Sequence, residues 1–378
     1  MPQSGQVTAA SHHALLALSL LRLGTDTLAA RCFREALLPG LLAGDAPGPV
    51  HLEQLADLIG LSGVDRAMRI GKARAAAEVA MTRGADLDLR LLTLLDADYP
   101  ALLRQIVDPP LALWVRGDAG AFGAPAVAIV GSRQSTPTGR EVARRFGRGL
   151  AEAGLVVVSG LARGIDAAAH QGALETGRTV AILGNGVDRV YPSEHVGLAA
   201  GVQRSGALVS EFPPGSRPFA SHFPLRNRII SGCVRAVVVV EASERSGSLI
   251  TARMALEQGR DVLAVPGNVL SGCYRGSHAL IKDGARLVET VDEILDEVGW
   301  SVKRPQPWTE CKSLTGNWLS SFIGQGLAFT IDELSGRSGR SVADCLAELA
   351  VMEVAGIVAR RPGGVFVKLD GPATNRER

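Results

Sequence analysis

Through residues 1 to about 85, apolar side chains recur at three- and four-residue spacing. ALLALSLLRLG, LAARCFREALL and LEQLADLIGLSGVDRAMRI each place their aliphatic residues on one face of a 3.6-residue turn, so this stretch is expected to be helical. From Ala126 the pattern changes. VAIV, LVVVS, TVAILG, ALVS, AVVVVEA and DVLAV are short, continuous apolar runs, each ahead of a Gly- or Pro-rich loop and a helical stretch such as REVARRFGRGLAEAG. A strand that is apolar at every position is buried on both faces, as in a parallel sheet covered by helices on either side. The later chain differs again. WSVKRPQPWTECKSL has two prolines and the mixed polarity of a linker. Beyond it, TIDE and SVAD look like helix N-terminal boxes, and GIVARRPGGVFVKL reads as two strands about a Pro-Gly-Gly turn, giving the helix, helix, hairpin order of a winged helix.

The expected fold class is therefore α/β: a doubly wound, Rossmann-like parallel sheet with an N-terminal helical domain and a C-terminal winged-helix domain. The expected divisions are 1–85, 86–299, a linker over 300–314, and 315–370. Within the first, IGLSGV (Ile59 to Val64) resembles the turn of a helix-hairpin-helix, a motif that binds phosphate backbones; plain helix packing is the other reading.

Composition narrows this further. A chain of 378 residues has room for two or three domains, and with 4% aromatics its cores must be built from Ala, Val, Leu and Ile. The 44 glycines are spread among apolar runs, which points to tight loops rather than disorder. Cys32, Cys233, Cys273, Cys311 and Cys345 are far apart, odd in number and without a CxxC, so reduced thiols are expected and neither a disulfide nor a zinc framework. The run ALLALSLL stops at Arg22, too short for a membrane span. A cytoplasmic protein without a signal peptide is expected. The net charge of +2 is unevenly placed: residues 125–289 hold 19 basic and 13 acidic side chains, a local +6 in the segment that also carries the glycine loops. That is a mild footprint for a polyanion, or a surface excess without consequence.

In an open parallel sheet, the loops after the strands' carboxyl ends share one crevice. Those loops hold Gly131, Ser132 and Arg133; Ser159, Gly160, Arg163 and Gly164; Gly184, Asn185 and Gly186; and Ser246, Gly247, Ser248 and Thr251. Glycine lets backbone N–H groups approach an oxyanion, the next helix N-terminus adds its dipole, and Arg offers a planar charged fork. A single such loop is an ordinary βα turn; four together point to phosphate. The dinucleotide fingerprint G-x-G-x-x-G and the P-loop G-x-x-x-x-G-K-[ST] are both absent, so neither cofactor is expected. Asp166 and His170, at i and i+4, are the candidate acid/base pair, but without a third partner they read better as a local hydrogen bond, and no His/Cys spacing suits a metal. In FPLRNR, Phe223 offers a ring on which a base can stack. Arg226 and Arg228 offer phosphate contacts, although on a helix only one need face the crevice, and Asn227 can hold the loop or read a base edge. The alternative is that Phe223 is core and the arginines are solvated.

Seven ordered segments, AIVGSRQSTPTG, VSGLARGIDAAAH, AILGNGVDRVYP, SEFPPG, FPLRNRIISG, EASERSGSLITA and VPGN, together with YPALLRQIVDPPLALWVRGD ahead of them, resemble the DNA-processing protein A family (DprA, also called Smf) over about residues 98–288. The resemblance implies a cytoplasmic single-stranded DNA-binding protein of natural transformation, not an enzyme and without a cofactor, which protects incoming strands, loads the recombinase RecA and forms a homodimer. It puts Ser132, Arg133, Gly160, Arg163, Gly164, Phe223, Arg226, Asn227, Arg228, Ser246, Gly247 and Ser248 in the DNA groove. Two positions depart from the family pattern. Ala220 stands where many relatives have Lys, with Arg217 as the candidate substitute, and His278 stands where relatives often have Asn, with a structural role expected. Two other functions remain in view. A nucleotide-processing enzyme of the lysine-decarboxylase-like Rossmann group would need a PGGxGTxxE loop, which ERSGSLITARMALEQ is not. A duplex-binding winged-helix regulator would place SVADCLAELAVMEV, with Asp344, Glu348 and Glu353 and no base, against DNA. A protein-interaction or dimer-supporting role suits that helix better.

Overall fold

A computed structural model of the chain describes residues 8–22, 36–43, 47–301, 328–354, 358–361 and 364–368. The chain divides into two compact units, Met1–Val302 and Lys303–Arg378. The expected linker lies, from residue 302 on, outside the described residues, as do Cys32 and Cys311; Cys233, Cys273 and Cys345 are free thiols.

The first unit is built on a nine-stranded sheet: β1 (Arg90–Thr93), β2 (Ala112–Gly117), β3 (Ala126–Val130), β4 (Val156–Ser159), β5 (Thr179–Leu183), β6 (Ala207–Ser210), β7 (Ala236–Val239), β8 (Asp261–Ala264) and β9 (Arg286–Leu287). Their order is β1-β2-β6-β5-β4-β3-β7-β8-β9. The pairings from β6 across to β9 are parallel, and the six apolar runs read from the sequence are β3 to β8. Three strands were not foreseen: β9 at one edge, and β1 and β2 at the other, where β2 pairs antiparallel with β6 and with β1. Ala112 to Val115 of β2 are all buried, so the alternation that marks an antiparallel strand is missing there.

From β3 the chain steps through β4, β5 and β6 in one direction. It returns along the His222–Gly232 helix to place β7 on the other side of β3. The winding therefore reverses between β3 and β7, which opens a crevice at their carboxyl ends. On one face the Pro137–Glu152 and Ile165–Thr176 helices touch backbone to backbone. A Cβ at Gly147 would lie 2.3 Å from the Ala169 carbonyl oxygen, and one at Gly172 would lie 1.9 Å from that of Arg144, so only glycine permits this approach.

Ahead of the sheet, the Ala9–Arg22 helix buries Leu15, Leu16, Leu18 and Leu21, and the Pro49–Leu58 and Gly63–Asp86 helices form a hairpin around IGLSGV. Gly60 (φ +73°) and Gly63 (φ +55°) make that turn. The adjacent Arg66 is engaged by Glu53 and Asp57, so its charge is already answered within the hairpin. Among the described residues no helix is long and apolar enough to cross a membrane.

The second unit has a three-stranded antiparallel sheet, Ala328–Thr330, Val365–Lys368 and Val358–Arg361 in that spatial order, and the Ile331–Ser338 and Val342–Val354 helices. It is a winged helix, preceded by a strand the sequence reading did not assign. Phe329, Leu334, Cys345, Leu349, Met352, Val358 and Phe366 form its core. The TIDE box closes as expected: Thr330 Oγ1 accepts from the Glu333 N–H, and the Glu333 carboxylate accepts from the Thr330 N–H.

Candidate nucleic-acid interface

At the reversal point lies a cavity of about 710 Å³. Its first wall is the loop after β3. Ser132 N–H donates to the Glu241 carbonyl at 2.7 Å, and the buried Glu241 carboxylate accepts from the Thr136 N–H at 3.1 Å and its hydroxyl at 2.7 Å. This lashing of the β3 loop to the end of β7 fixes Ser132, Arg133 and Gln134 at the mouth. A Cβ at Gly131 would meet Glu241 O at 2.9 Å and Ile165 Cγ1 at 2.6 Å, so the loop has no space for a larger residue.

The loop after β4 supplies the floor. The Asp166 carboxylate accepts from the N–H groups of Gly160 (3.1 Å) and Ala162 (3.4 Å), and burial pushes its pKa up. Gly164 (φ +76°) passes so near the first loop that a Cβ would sit 2.3 Å from Ser132 O. Buried Leu161 is also left-handed (φ +56°), a strained conformation for a branched residue. Asp166 and His170 do not pair. His170 Nδ1 bonds Thr179 Oγ1 at 2.7 Å, and burial drives its pKa down to about 3, so the ring is neutral.

The His222–Gly232 helix is the second wall. His222 stacks on Phe212 at 3.9 Å and bonds the Gly184 carbonyl at 3.0 Å, which sets the helix start. Phe223 is half-buried with its ring toward the cavity. The Arg133 guanidinium lies 5.3 Å from the ring centroid, and the Tyr191 ring lies at 5.8 Å, tilted by 42°. Asn227 and Ala220 line the same wall. Arg226 lines it from below: it is buried, donates to the Ile182 carbonyl, and burial lowers its pKa to about 10. The third wall, after β7, holds Ser246, Gly247 and Ser248, with the two hydroxyls 2.7 Å apart, and Thr251.

Of the twelve residues singled out from sequence, eight line this cavity: Ser132, Arg133, Phe223, Arg226, Asn227, Ser246, Gly247 and Ser248. Gly160 and Gly164 lie behind it as packing positions; a Cβ at Gly160 would be 2.1 Å from Arg226 Nη1. Exposed Arg163 is turned to Glu194, which raises its pKa. Arg228 is corrected outright. Its Nη2 donates to both oxygens of Glu211 at 2.8 Å and its Nε to Asp108 at 2.9 Å. Buried Arg22 joins the same two acids, at 2.6 and 3.6 Å. These carboxylates outweigh burial and hold the Arg228 pKa above its usual value, so the side chain is a structural ion pair and not a phosphate contact. Its partners lie 17 and 120 residues away in sequence, so no local pattern announces them. Thr251, read with the same loop, also lines the cavity; Gln134, Tyr191 and Pro218 line it too and were missed. Tyr191 was legible in NGVDRVYP as a second ring at a loop after a strand. Arg217 is exposed, and His278 Nε2 accepts from Gly267 N–H at 3.2 Å.

Comparison with known proteins follows the same lines. The family model described as DNA recombination-mediator protein A matches residues 90–299, and that of the DprA winged helix domain matches residues 323–364. Protein Smf of Escherichia coli is 42% identical over 282 residues, covering 72% of this chain and 75% of that protein. The X-ray structure of DNA processing protein A from Streptococcus pneumoniae superposes with a TM-score of 0.65 at 36% identity, over 76% of this chain and 97% of that one. The structure of DNA processing protein A from Helicobacter pylori, described for that protein's unique single-stranded DNA binding mode, gives 0.51 at 26% identity over 56% and 95% of the two chains.

Proposed function

The chain belongs to the DNA recombination-mediator protein A family, and on that premise we propose that it binds single-stranded DNA, without reading sequence, along the crevice between β3 and β7. The observation that carries this reading is the meeting of Arg133, a guanidinium with no ion pair among the described residues, with the Phe223 and Tyr191 rings and the Ser246–Ser248 hydroxyls around a single cavity. Phosphates would lie against Arg133, Ser132 and the turn backbones, and unpaired bases against the rings. Protection of incoming strands in transformation, delivery of RecA to them, homodimerisation and a cytoplasmic setting belong to the same proposal, which extends the resemblances to protein Smf and DNA processing protein A.

Two features weigh against the other functions. His170 is neutral and held by Thr179, so the candidate acid/base pair is not assembled. The exposed Asp344 and Glu353 on the Val342–Val354 helix would repel a duplex. The test is one titration by fluorescence anisotropy of a labelled single strand and its duplex. Tighter binding of the single strand is expected. Equal or tighter binding of the duplex sinks the proposal, and release of a base from a nucleoside monophosphate would revive the enzyme reading.

A further inference from the structure

The wall that carries Phe223 and Asn227 is continuous with the segment from Glu211 onward. This segment, 211–228, leaves the sheet after β6 and is not itself held by strand pairing. It is anchored from elsewhere, at three points, by residues of the first 108 positions. At its start and end, Arg22 and Asp108 close on Glu211 and Arg228 as described above. In its middle, Arg83 of the Gly63–Asp86 helix donates to Asp188 Oδ2 at 2.7 Å, and the other Asp188 oxygen accepts from the Gly215 N–H at 2.7 Å. Gly215 is left-handed (φ +91°), and a Cβ there would strike Arg83 Nη1 at 2.9 Å, so the turn is shaped to the arginine. Gly186 N–H donates to the Ser216 carbonyl at 3.1 Å, which carries the same anchor into the loop after β5 that leads to Tyr191. None of Arg22, Arg83 or Asp108 lines the cavity.

We propose that the N-terminal helices serve as a brace for the aromatic wall of the crevice, and that Arg83 is a positioning residue for Phe223 and Tyr191 with no contact of its own to DNA. The proposal rests on the single-strand reading for its functional consequence. A wall held in its binding geometry before the strand arrives spares the ordering that binding would otherwise have to supply. Arg83 is the informative position because its own side chain is half-exposed, unlike buried Arg22 or Arg228, and its partner Asp188 keeps the Gly215 N–H when the arginine is replaced.

The experiment compares wild type, Arg83→Met and Arg83→Lys in the full chain. Without DNA, amide hydrogen exchange over residues 211–228 is expected to accelerate in Arg83→Met and to return towards wild type in Arg83→Lys. With a 2-aminopurine-labelled single strand, Arg83→Met is expected to bind roughly three- to tenfold more weakly, with less quenching of the base and an unchanged salt dependence. Unaltered exchange over 211–228 in Arg83→Met overturns the brace. A shallower salt dependence overturns it too, since Arg83 would then be a direct phosphate contact. Should wild type fail to bind the strand, the single-strand reading falls by itself, and the exchange measurement still decides whether the brace exists.

Discussion

The arginines around the crevice differ in what already neutralises them, and salt dependence can count the difference. Arg133 is exposed, faces the cavity and forms no ion pair among the described residues; its neighbour is the Phe223 ring. Arg163 is matched to Glu194, and Arg228 to Glu211 and Asp108. A cation that neutralises a phosphate displaces a counterion and steepens the fall of log K with log salt by about 0.7 for a single strand. A cation already matched to a carboxylate displaces none. Arg133→Ala should therefore flatten the slope by about 0.7. Between 50 and 200 mM salt, about 0.6 of a decade, wild type should lose about 2.6-fold more affinity than the variant does. Arg163→Ala should leave the slope where it was. The assay is an anisotropy titration of a labelled oligothymidylate at five salt concentrations, with each variant's melting curve as a check on folding. Parallel lines for wild type and Arg133→Ala, or a flattened line for Arg163→Ala, would refute the assignment of which guanidinium meets the strand.

Phe223→Ala should weaken single-strand binding by about 1–3 kcal/mol for the lost stacking partner, with the salt slope intact, in the same titration. Glu211→Gln leaves buried Arg22 and Arg228 sharing Asp108 alone. It should destabilise the first unit by about 3–5 kcal/mol in chemical denaturation, and a loss under about 1 kcal/mol would show that the cluster is hydrated. His170 has a folded pKa depressed to about 3 against 6.5 unfolded, so its stabilising contribution is complete above pH 6.5 and lost as pH falls below it. Denaturation at pH 7 and pH 5.5 should differ by about 1 kcal/mol more in wild type than in His170→Gln.

Why some of this was visible in the letters is a matter of range. The six central strands are apolar through their middles, with polar residues only at strand ends, because helices cover both faces, so VAIV or AVVVV declares itself without knowledge of its neighbours. The glycine-rich turns are likewise set by local geometry and the carboxyl-edge rule, and Ser132, Arg133 and Ser248 could be placed together from them. What failed was pairing across distance. Arg226 and Arg228 look alike in FPLRNR, two residues apart on one helix, yet one reaches under the crevice and the other turns to acids from Asp108 and Glu211. Their difference is decided by carboxylates elsewhere in the chain. β2 was hidden for a related reason: it is buried like a parallel strand although its partners run against it.

The guanidinium resting over Phe223 also bears on the protein when no strand is present. An uncovered ring at the rim of a crevice is an adhesive spot, prone to seize another molecule's greasy surface. Here the exposed, permanently charged Arg133 guanidinium covers that ring, 5.3 Å from its centroid. A strand bound as proposed would draw the arginine onto phosphate and bare the ring to an unpaired base.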